Sequence, residues 1–241
     1  MRIPSPVVAT LVGLALILSG GCRREDADTG QPAASVDTAT ALTKPPSPQP
    51  SASPTTAPTA LVLPGDFAAD TTLEQLQQRF GSANAQARQI AGAEGESLRG
   101  VVLFPDDPSL RATLYFQDQE NLRGLGMVSV DETSSQWKLA SGAGIGTPLA
   151  ELRKINGKPF AFSGFEWDYG GTITDWRGGK LQPANDDPVF VRIRLRMPES
   201  GSAGKDYPLG DSSFSSDDPR WADLGIVVGG ISVSFPGEDD L

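Results

Sequence analysis

Residues 144–179 read GIGTPLAELRKINGKPFAFSGFEWDYGGTITDWRGG, and they decide the fold because a short helix and an aromatic strand follow each other there. Thr147 is suited to cap a helix that starts at Pro148, since proline's fixed φ fits the first helical position and its missing N–H is not needed. Gly157 tolerates the positive φ that ends a helix, and Pro159 prevents the helix from restarting. The apolar face of this predicted helix consists of Leu149, Leu152 and Ile155.

An aromatic strand is predicted directly after this helix. Large side chains recur at nearly every second residue, which is the period of a β-strand. They are Phe160, Phe162, Phe165, Trp167 and Tyr169. The chain then turns at Gly170-Gly171 towards a second strand over 172–176. Because a helix and a sheet must bury large side chains between them, we expect the aromatic residues of 160–176 to form core; a platform that stacks on glycans is the alternative.

Composition excludes several classes of function. The 241-residue chain has no histidine, and its single cysteine is Cys22. Histidine acid–base catalysis, cysteine nucleophiles and the usual zinc, copper and haem ligand sets are therefore not expected. The net charge of −10 disfavours nucleic acid as a partner, because a phosphate-binding surface needs clustered Lys and Arg. We expect no cofactor, no metal and no enzymatic activity.

The start of the chain resembles the signal of a bacterial lipoprotein. A short positive region precedes an apolar run over 7–18, which ends in small residues directly before Cys22. Ser19 stands where that family usually has leucine. The resemblance implies that a signal peptide of residues 1–21 is removed and that Cys22 carries several acyl chains; an ordinary secretory signal with an incidental cysteine is the alternative. In such lipoproteins an aspartate directly after the cysteine retains the protein in the inner membrane. Arg23 stands in that position here, so the resemblance implies that the protein is anchored in the inner leaflet of the outer membrane and faces the periplasm.

Residues 22–60 differ in composition from the rest of the chain. They are rich in Ala, Thr, Ser, Pro and Gln and contain hardly any large apolar residue. Such a segment cannot bury enough surface to offset its ordering entropy. We therefore expect a disordered tether between the lipid anchor and the folded part.

The remaining chain contains a degenerate internal repeat. Residues 71–81 align without gaps on residues 147–157, at a constant offset of 76. Both copies start a predicted helix at threonine and stop it at glycine. In the first copy Thr71 and Glu74 have the spacing of a capping box.

The two copies predict an α+β fold of tandem repeats, with repeat 1 over 61–140 and repeat 2 over 141–241. In each repeat a helix would pack on an antiparallel meander. The strands are predicted at 101–104, 112–116 and 125–130 in repeat 1, and at 160–167, 172–176, 189–197 and 226–235 in repeat 2.

The second helix carries a pattern that is similar to a known one. Gly146-Thr147-Pro148, Leu152 and Gly157-Lys158-Pro159 resemble the signature of the small outer-membrane lipoprotein of the β-barrel assembly machinery and of the β-lactamase-inhibitor-protein-like superfamily. The resemblance implies helices packed on a small antiparallel sheet, in tandem units. Members of that superfamily bind proteins, and their partners differ from one member to the next.

A long acidic loop over 199–224 is a candidate binding element. It holds Tyr207, Phe214 and Trp221, and loops of this length are usually functional or mobile. The three aromatic side chains would either anchor a partner or plug the end of the sheet, since single aromatic residues in long loops are often buried.

Two carboxylates in the aromatic strand are the other candidates. Glu166 and Asp168 lie two residues apart, so both would face the same side of a strand. A glycosidase-like acid pair is one interpretation. We favour a solvated outer face, because Phe165, Trp167 and Tyr169 would then fill the opposite face as core.

These patterns together favour a lipid-anchored, periplasm-facing protein that binds another envelope protein without catalysis. The alternative is a module that binds peptidoglycan or another saccharide through the aromatic residues of 160–176. A carboxylate-dependent hydrolase comes third. The expected partners are the membrane, through the lipid anchor, and an envelope protein.

Replacing the lipid-bearing residue tests the anchor. We expect Cys22→Ser to release the protein from the membrane fraction or to leave its signal peptide uncleaved, because no thiol remains to be acylated. Fractionation of cells and the mass of the product measure this, and Ser19→Ala is the matched control. Unchanged fractionation of Cys22→Ser would contradict a lipoprotein.

Overall fold

Two α-helices, two one-turn 3-10 helices and eleven β-strands have both ends in the part of the chain that this computed structural model describes, residues 61–184, 186–198, 200 and 206–236. The α-helices are α1 (Leu73–Phe80) and α2 (Leu149–Asn156). The strands are β1 (Val62–Leu63), β2 (Ala85–Ala91), β3 (Ser97–Leu103), β4 (Ala112–Asp118), β5 (Arg123–Val130), β6 (Lys138–Leu139), β7 (Ala161–Ser163), β8 (Ile173–Asp175), β9 (Phe190–Arg196), β10 (Ser213–Ser215) and β11 (Val227–Ser234). The α+β class is therefore as predicted.

Several sequence predictions fall outside the described residues. They are the signal peptide 1–21, the acylated Cys22, the tether that extends to residue 60, and part of the 199–224 loop. Within the described ranges, no helix has both the length and the apolar character that a membrane crossing requires.

Helix α1 begins at a capping box, one residue later than predicted. The Thr72 hydroxyl accepts a hydrogen bond from the Gln75 backbone N–H at 3.3 Å, and Gln75 Oε1 accepts one from the Thr72 backbone N–H at 2.8 Å. The hydroxyl of Thr71 accepts instead from the Ala68 N–H at 3.0 Å, and Thr71 is buried. Thr71 is therefore engaged in the turn that precedes the helix, and the cap moves to its neighbour.

Helix α2 also starts one residue later than predicted. Pro148 is its N-cap rather than its first residue, and no side chain caps it. The predicted cap was wrong because the Thr147 hydroxyl accepts a hydrogen bond from the Gly144 N–H at 3.0 Å. The C-terminal end is as predicted: Gly157 adopts a left-handed φ of 76°, and its N–H reaches the Arg153 carbonyl at 2.9 Å.

Six strands form the main sheet, which is antiparallel and has the order β2-β3-β4-β5-β11-β9. A three-stranded sheet has the order β10-β7-β8, and β1 pairs with β6 in parallel. One bridge, Thr172 with Arg194, joins the three-stranded sheet to β9. The last strand, β11, thus lies between a strand of the first half and a strand of the second.

The main sheet has one buried face and one open face, because alternate residues of a strand point to opposite sides. Val130, Ile231 and Ile193 are register partners across β5, β11 and β9, and each is 1% exposed. The next partners, Ser129, Ser232 and Arg192, are half-buried or exposed. Both helices contribute to the core on the buried face through Leu76, Phe80, Leu149 and Leu152.

Strands with clear alternation were predicted well, and one aromatic strand was not. The strands predicted at 101–104, 112–116, 125–130, 189–197 and 226–235 correspond to β3, β4, β5, β9 and β11. The strand predicted over 172–176 corresponds to β8, whereas the strand predicted over 160–167 was right only for its first part, because β7 ends at Ser163. The edge strand β2 was missed because AQARQIA has no period-2 alternation of apolar residues.

Truncating either helix anchor is expected to destabilise the fold. Leu76 is 2% exposed and Leu152 is fully buried, so Leu76→Ala and Leu152→Ala should each lower the free energy of unfolding by about 2–5 kcal/mol. Urea unfolding measures this. Lys154→Ala, on the exposed side of α2, is the control and should change stability by less than about 0.5 kcal/mol. A Leu76→Ala midpoint equal to that of Lys154→Ala would show that α1 is not a core element.

Candidate functional site

The open face of the main sheet carries an arrangement of side chains that the fold does not need for its core. One row across β4, β5, β11 and β9 is Thr113, Ser129, Ser232 and Arg192. The adjacent row is Tyr115, Met127, Ser234 and Phe190. Because both rows are half-buried or exposed, small hydroxyl residues form a polar floor with aromatic residues and methionine beside it.

Three arginines stand on the open face of β9. Arg192, Arg194 and Arg196 alternate with Ile193 and Leu195, which are buried. Strand geometry places successive arginine Cα atoms about 6.6–6.8 Å apart on one face. We name these three residues the arginine row.

Two glycines of β11 make room for the arginine side chains. Gly229 lies at a β-bulge, and a Cβ atom there would come within 2.4 Å of the Cβ of Arg196. A Cβ at Gly230 would lie 3.7 Å from Nε of Arg194. The side chain of Arg194 therefore lies over the bare backbone of Gly230, and β11 approaches Arg196 closely at Gly229.

The guanidinium groups of the arginine row make no hydrogen bond or ion pair to any other described residue. Other arginines do: Arg79 pairs with Asp66 at 2.8 Å, and Arg220 pairs with Asp218 at 2.7 Å. The positive charge of the row is thus uncompensated by direct contacts in the described chain, although the protein carries a net charge of −10.

The loop over 164–171 borders the arginine row. Its backbone is held by hydrogen bonds from the Phe165 N–H to the Pro208 carbonyl at 2.8 Å and from the Gly210 N–H to the Phe165 carbonyl at 2.9 Å. The Leu195 N–H donates to the Gly171 carbonyl at 2.7 Å, which fixes the other end of the loop to β9. These contacts explain why the predicted strand stops at Ser163.

Glu166 and Asp168 lie in this loop, not side by side on a strand as predicted. Glu166 has a φ of 65°, a left-handed value that is uncommon for a residue with a side chain. Its Oε1 accepts a hydrogen bond from the Tyr207 hydroxyl at 2.6 Å. That bond raises the pKa of Tyr207 above its usual value, since the anionic acceptor stabilises the protonated phenol.

Trp167 and Tyr169 are exposed, so the expectation that the whole aromatic run forms core was wrong for these two. Trp167 is 38% exposed and Tyr169 is 66% exposed, and their rings meet edge to face at 5.3 Å. The Trp167 indole N–H donates to the Gly164 carbonyl at 2.9 Å, which orients its ring. The other members of the run are in the core: Phe160, Phe162, Phe165 and Trp176.

Two adjoining depressions connect the loop to the open face. The larger, of about 550 Å³, is lined by Glu166 and by Arg194, Arg196 and Asp131. The smaller, of about 290 Å³, is lined by Tyr169, Asp168 and Arg192, and it shares Asp131 and Arg194 with the larger one. Both depressions are therefore lined by acidic and basic side chains, and they adjoin at Asp131 and Arg194.

The aromatic residues predicted in the 199–224 loop are placed differently from one another. Tyr207 is half-buried and bonds to Glu166, next to the larger depression. Phe214 belongs to β10 and packs against Phe162 at 6.2 Å between ring centroids. Trp221 is 2% exposed, and its indole N–H donates to the Ser215 carbonyl at 3.1 Å. Trp221 is therefore out of a partner's reach, and Phe214 is largely so.

Sequence reasoning missed the arginine row, although its signal is present. Residues 192–196 read RIRLR, in which arginine alternates strictly with apolar residues. Such alternation indicates a strand with one basic face and one buried face.

Comparison of the chain with protein-family models, curated proteins and solved structures found no match.

The exposure of Trp167 predicts the fluorescence of the protein. The other three tryptophans, Trp137, Trp176 and Trp221, are 2–8% exposed. Acrylamide should quench one accessible component in the native protein, and Trp167→Phe should remove it because only buried indoles remain. Trp176→Phe is the control and should retain that component. Equal quenching of Trp167→Phe and the native protein would contradict the position of the loop.

Proposed function

We propose that this protein is a lipid-anchored, periplasm-facing module that binds another envelope protein through its open face, without catalysis. The observation that carries the proposal is the makeup of that face, where the arginine row, Tyr169, Trp167 and Phe190 surround a polar floor. Arginine, tyrosine, tryptophan and phenylalanine are the residues that protein interfaces favour, and they dominate binding energy when they are central.

The distribution of exposed apolar side chains supports the same surface. The large apolar residues that are exposed within the described ranges are Trp167, Tyr169, Phe190 and Leu209. Phe190 lies on the open face by register, and Tyr169 lines the smaller depression. Leu209 bridges to Phe165 in the bordering loop. Exposed apolar side chains that gather at one site indicate an interaction surface more strongly than scattered ones.

We also propose that the two halves are copies of one unit, a helix followed by a four-stranded meander. The boundaries of α1 and α2 differ by 76 residues at both ends. The first helical N–H bonds in each half to the carbonyl of a residue close to the last strand: Leu73 to Leu122 and Leu149 to Ile226. The order β2-β3-β4-β5 would correspond to β7-β8-β9-β11, with the two final strands paired at the centre.

A saccharide such as peptidoglycan is the second candidate ligand, and the exposed pair Trp167 and Tyr169 beside Asp168 supports it. The rings stand at 68° to each other, so they offer separate faces rather than one flat platform. A sugar ring stacks on a flat aromatic face. A protein side chain has no such requirement and also fits between two inclined rings. A hydrolase is third, because the Glu166 carboxylate is engaged by Tyr207.

Site-specific photocrosslinking in intact cells tests the proposal. A benzoylphenylalanine residue at position 169 or 190 should form adducts with one envelope protein, because both aromatic side chains are exposed on the site. The controls are the same residue at positions 78 and 154, on the exposed sides of α1 and α2, which should give none.

The adducts also separate the two candidate ligands. A protein adduct has a discrete mass that muramidase digestion leaves unchanged, whereas a peptidoglycan adduct is lost or shortened by that digestion. Adducts from positions 78 and 154 alone would contradict binding through the open face. Adducts that muramidase removes would favour the saccharide.

A further inference from the structure

The arginine row has the repeat distance of an extended peptide. Arg192, Arg194 and Arg196 project from one strand at successive spacings of about 6.6–6.8 Å. Alternate side chains of any extended polypeptide have the same spacing. An extended segment that lies along β9 on the open face, with acidic residues at alternate positions, would therefore bring one carboxylate to each arginine.

The chemistry of the row suits carboxylates. A guanidinium group presents its N–H donors in a planar fork that matches a carboxylate with two parallel hydrogen bonds. No described residue already occupies these forks with a hydrogen bond or an ion pair. The side chain of Arg194 lies over Gly230, so less of its side-chain freedom is lost when a ligand binds.

The surroundings favour a narrow ligand over a broad anionic surface. Asp131, Glu166 and Asp168 line the same two depressions as the arginines. A flat bilayer of anionic lipid would press its phosphates against these carboxylates, and like charges in contact are unfavourable. A single peptide strand can follow the arginine row and leave the acidic border free.

The aromatic side chains supply the rest of the contact. Tyr169 lines the smaller depression together with Arg192 and Arg194, and Trp167 packs against Tyr169. A segment that follows the row passes beside these rings, so its backbone and the apolar stems of its acidic side chains can contact them. Arginine and exposed aromatic rings therefore act on the same strand of ligand.

We infer that the arginine row binds an extended acidic segment of a partner protein, with Asp or Glu at alternate positions, along β9. This inference rests on the proposed function, because it specifies what the open face recognises. It adds the charge, conformation and register of the partner's segment.

A peptide titration tests the inference directly. The protein is the chain from residue 22 with Cys22→Ser, which carries no lipid, and the probe is a fluorescein-labelled peptide in which four glutamates alternate with four threonines. Anisotropy should show binding that weakens with salt, as expected for charge pairing at a surface. A peptide with the four glutamates in one block, of equal charge, should bind several times more weakly because its carboxylates do not match the row.

Charge-matched variants assign the binding to the row. Arg192→Gln, Arg194→Gln and Arg196→Gln together should weaken binding of the alternating peptide about tenfold, because each exposed pair contributes a factor of about two to three. The control replaces Arg123, Lys154 and Lys158 with glutamine, which removes the same charge from exposed positions outside the site. Circular dichroism checks that both variants are folded. Equal affinity of the two triple variants, or of the two peptides, would overturn the inference.

Two other occupants of the row are outcomes of the same test. Vesicles of about three parts phosphatidylglycerol to seven parts phosphatidylcholine should not compete with the peptide; strong competition would assign the row to a membrane surface and overturn the inference. Residues 237–241 read GEDDL and follow β11 in the sequence. If their deletion raises peptide affinity tenfold or more, the row serves the chain's own acidic end and the inference also fails.

The crosslinking experiment separates this inference from the proposed function. The triple glutamine variant of the row is combined with benzoylphenylalanine at position 169. Loss of the partner adduct, with the control triple unchanged, supports the inference. An unchanged adduct overturns the inference and leaves the proposed function standing, whereas absence of any adduct in the otherwise native protein counts against the proposed function itself.

Discussion

The ladder of β11 is the constraint on which the rest of the structure depends. This strand pairs with β5 on one side and β9 on the other, and its Val228, Ile231 and Val233 are 0–1% exposed. Its first residues also receive α2, since the Gly146 N–H donates to the Val228 carbonyl and the Val228 N–H to the Thr147 carbonyl, both at 2.8 Å. One strand thus joins the first half, the second half and the start of a helix through backbone hydrogen bonds. Backbone pairing of this kind does not depend on which side chains the strands carry, as long as they fit the pleat.

A second constraint is the buried amide of Asn156 at the end of α2. It is fully buried, and its Nδ2 donates to the Trp176 carbonyl at 3.1 Å and to the Lys158 carbonyl at 2.9 Å. Its Oδ1 accepts from the Leu181 N–H at 3.1 Å. An unpaired buried amide is costly, so these partners have to stay together once the helix is formed. The amide therefore connects the end of the helix to the segment after β8 and holds Trp176 in the core.

The site follows from these two constraints. β11 brings Ser232 and Gly230 beside the arginine row of β9, and β5 brings Ser129 and Asp131 to the other side. The loop over 164–171 adds Tyr169 and Trp167 because its backbone is fixed to β9 at one end and to residues 208–210 at the other. Since every contributing element is held by backbone hydrogen bonds, the fold itself fixes the positions of these side-chain-bearing segments.

The local sequence determined the α+β class, both helices and most long strands of the main sheet. The end of a helix is set by residues next to it in the sequence, so Gly81 and Gly157 predicted where both helices stop. Strands such as β9 and β11 were predictable because their apolar residues alternate clearly. The caps were displaced by one residue because the hydroxyls of Thr71 and Thr147 found partners in the preceding turns.

Only the tertiary structure decided where the aromatic run leaves the core. Phe165 and Trp167 both belong to the run in which aromatic residues recur at nearly every second position, yet Phe165 is 7% exposed and Trp167 is 38% exposed. Their fates differ because residues 208–210, more than forty positions away, pair with the chain at Phe165 and turn it before Trp167. The alternation of arginine in 192–196 was likewise visible in the sequence. Its position on the open face depends on β11, which pairs with β9 and with β5. No local pattern specifies this pairing, because the strands are far apart in the sequence.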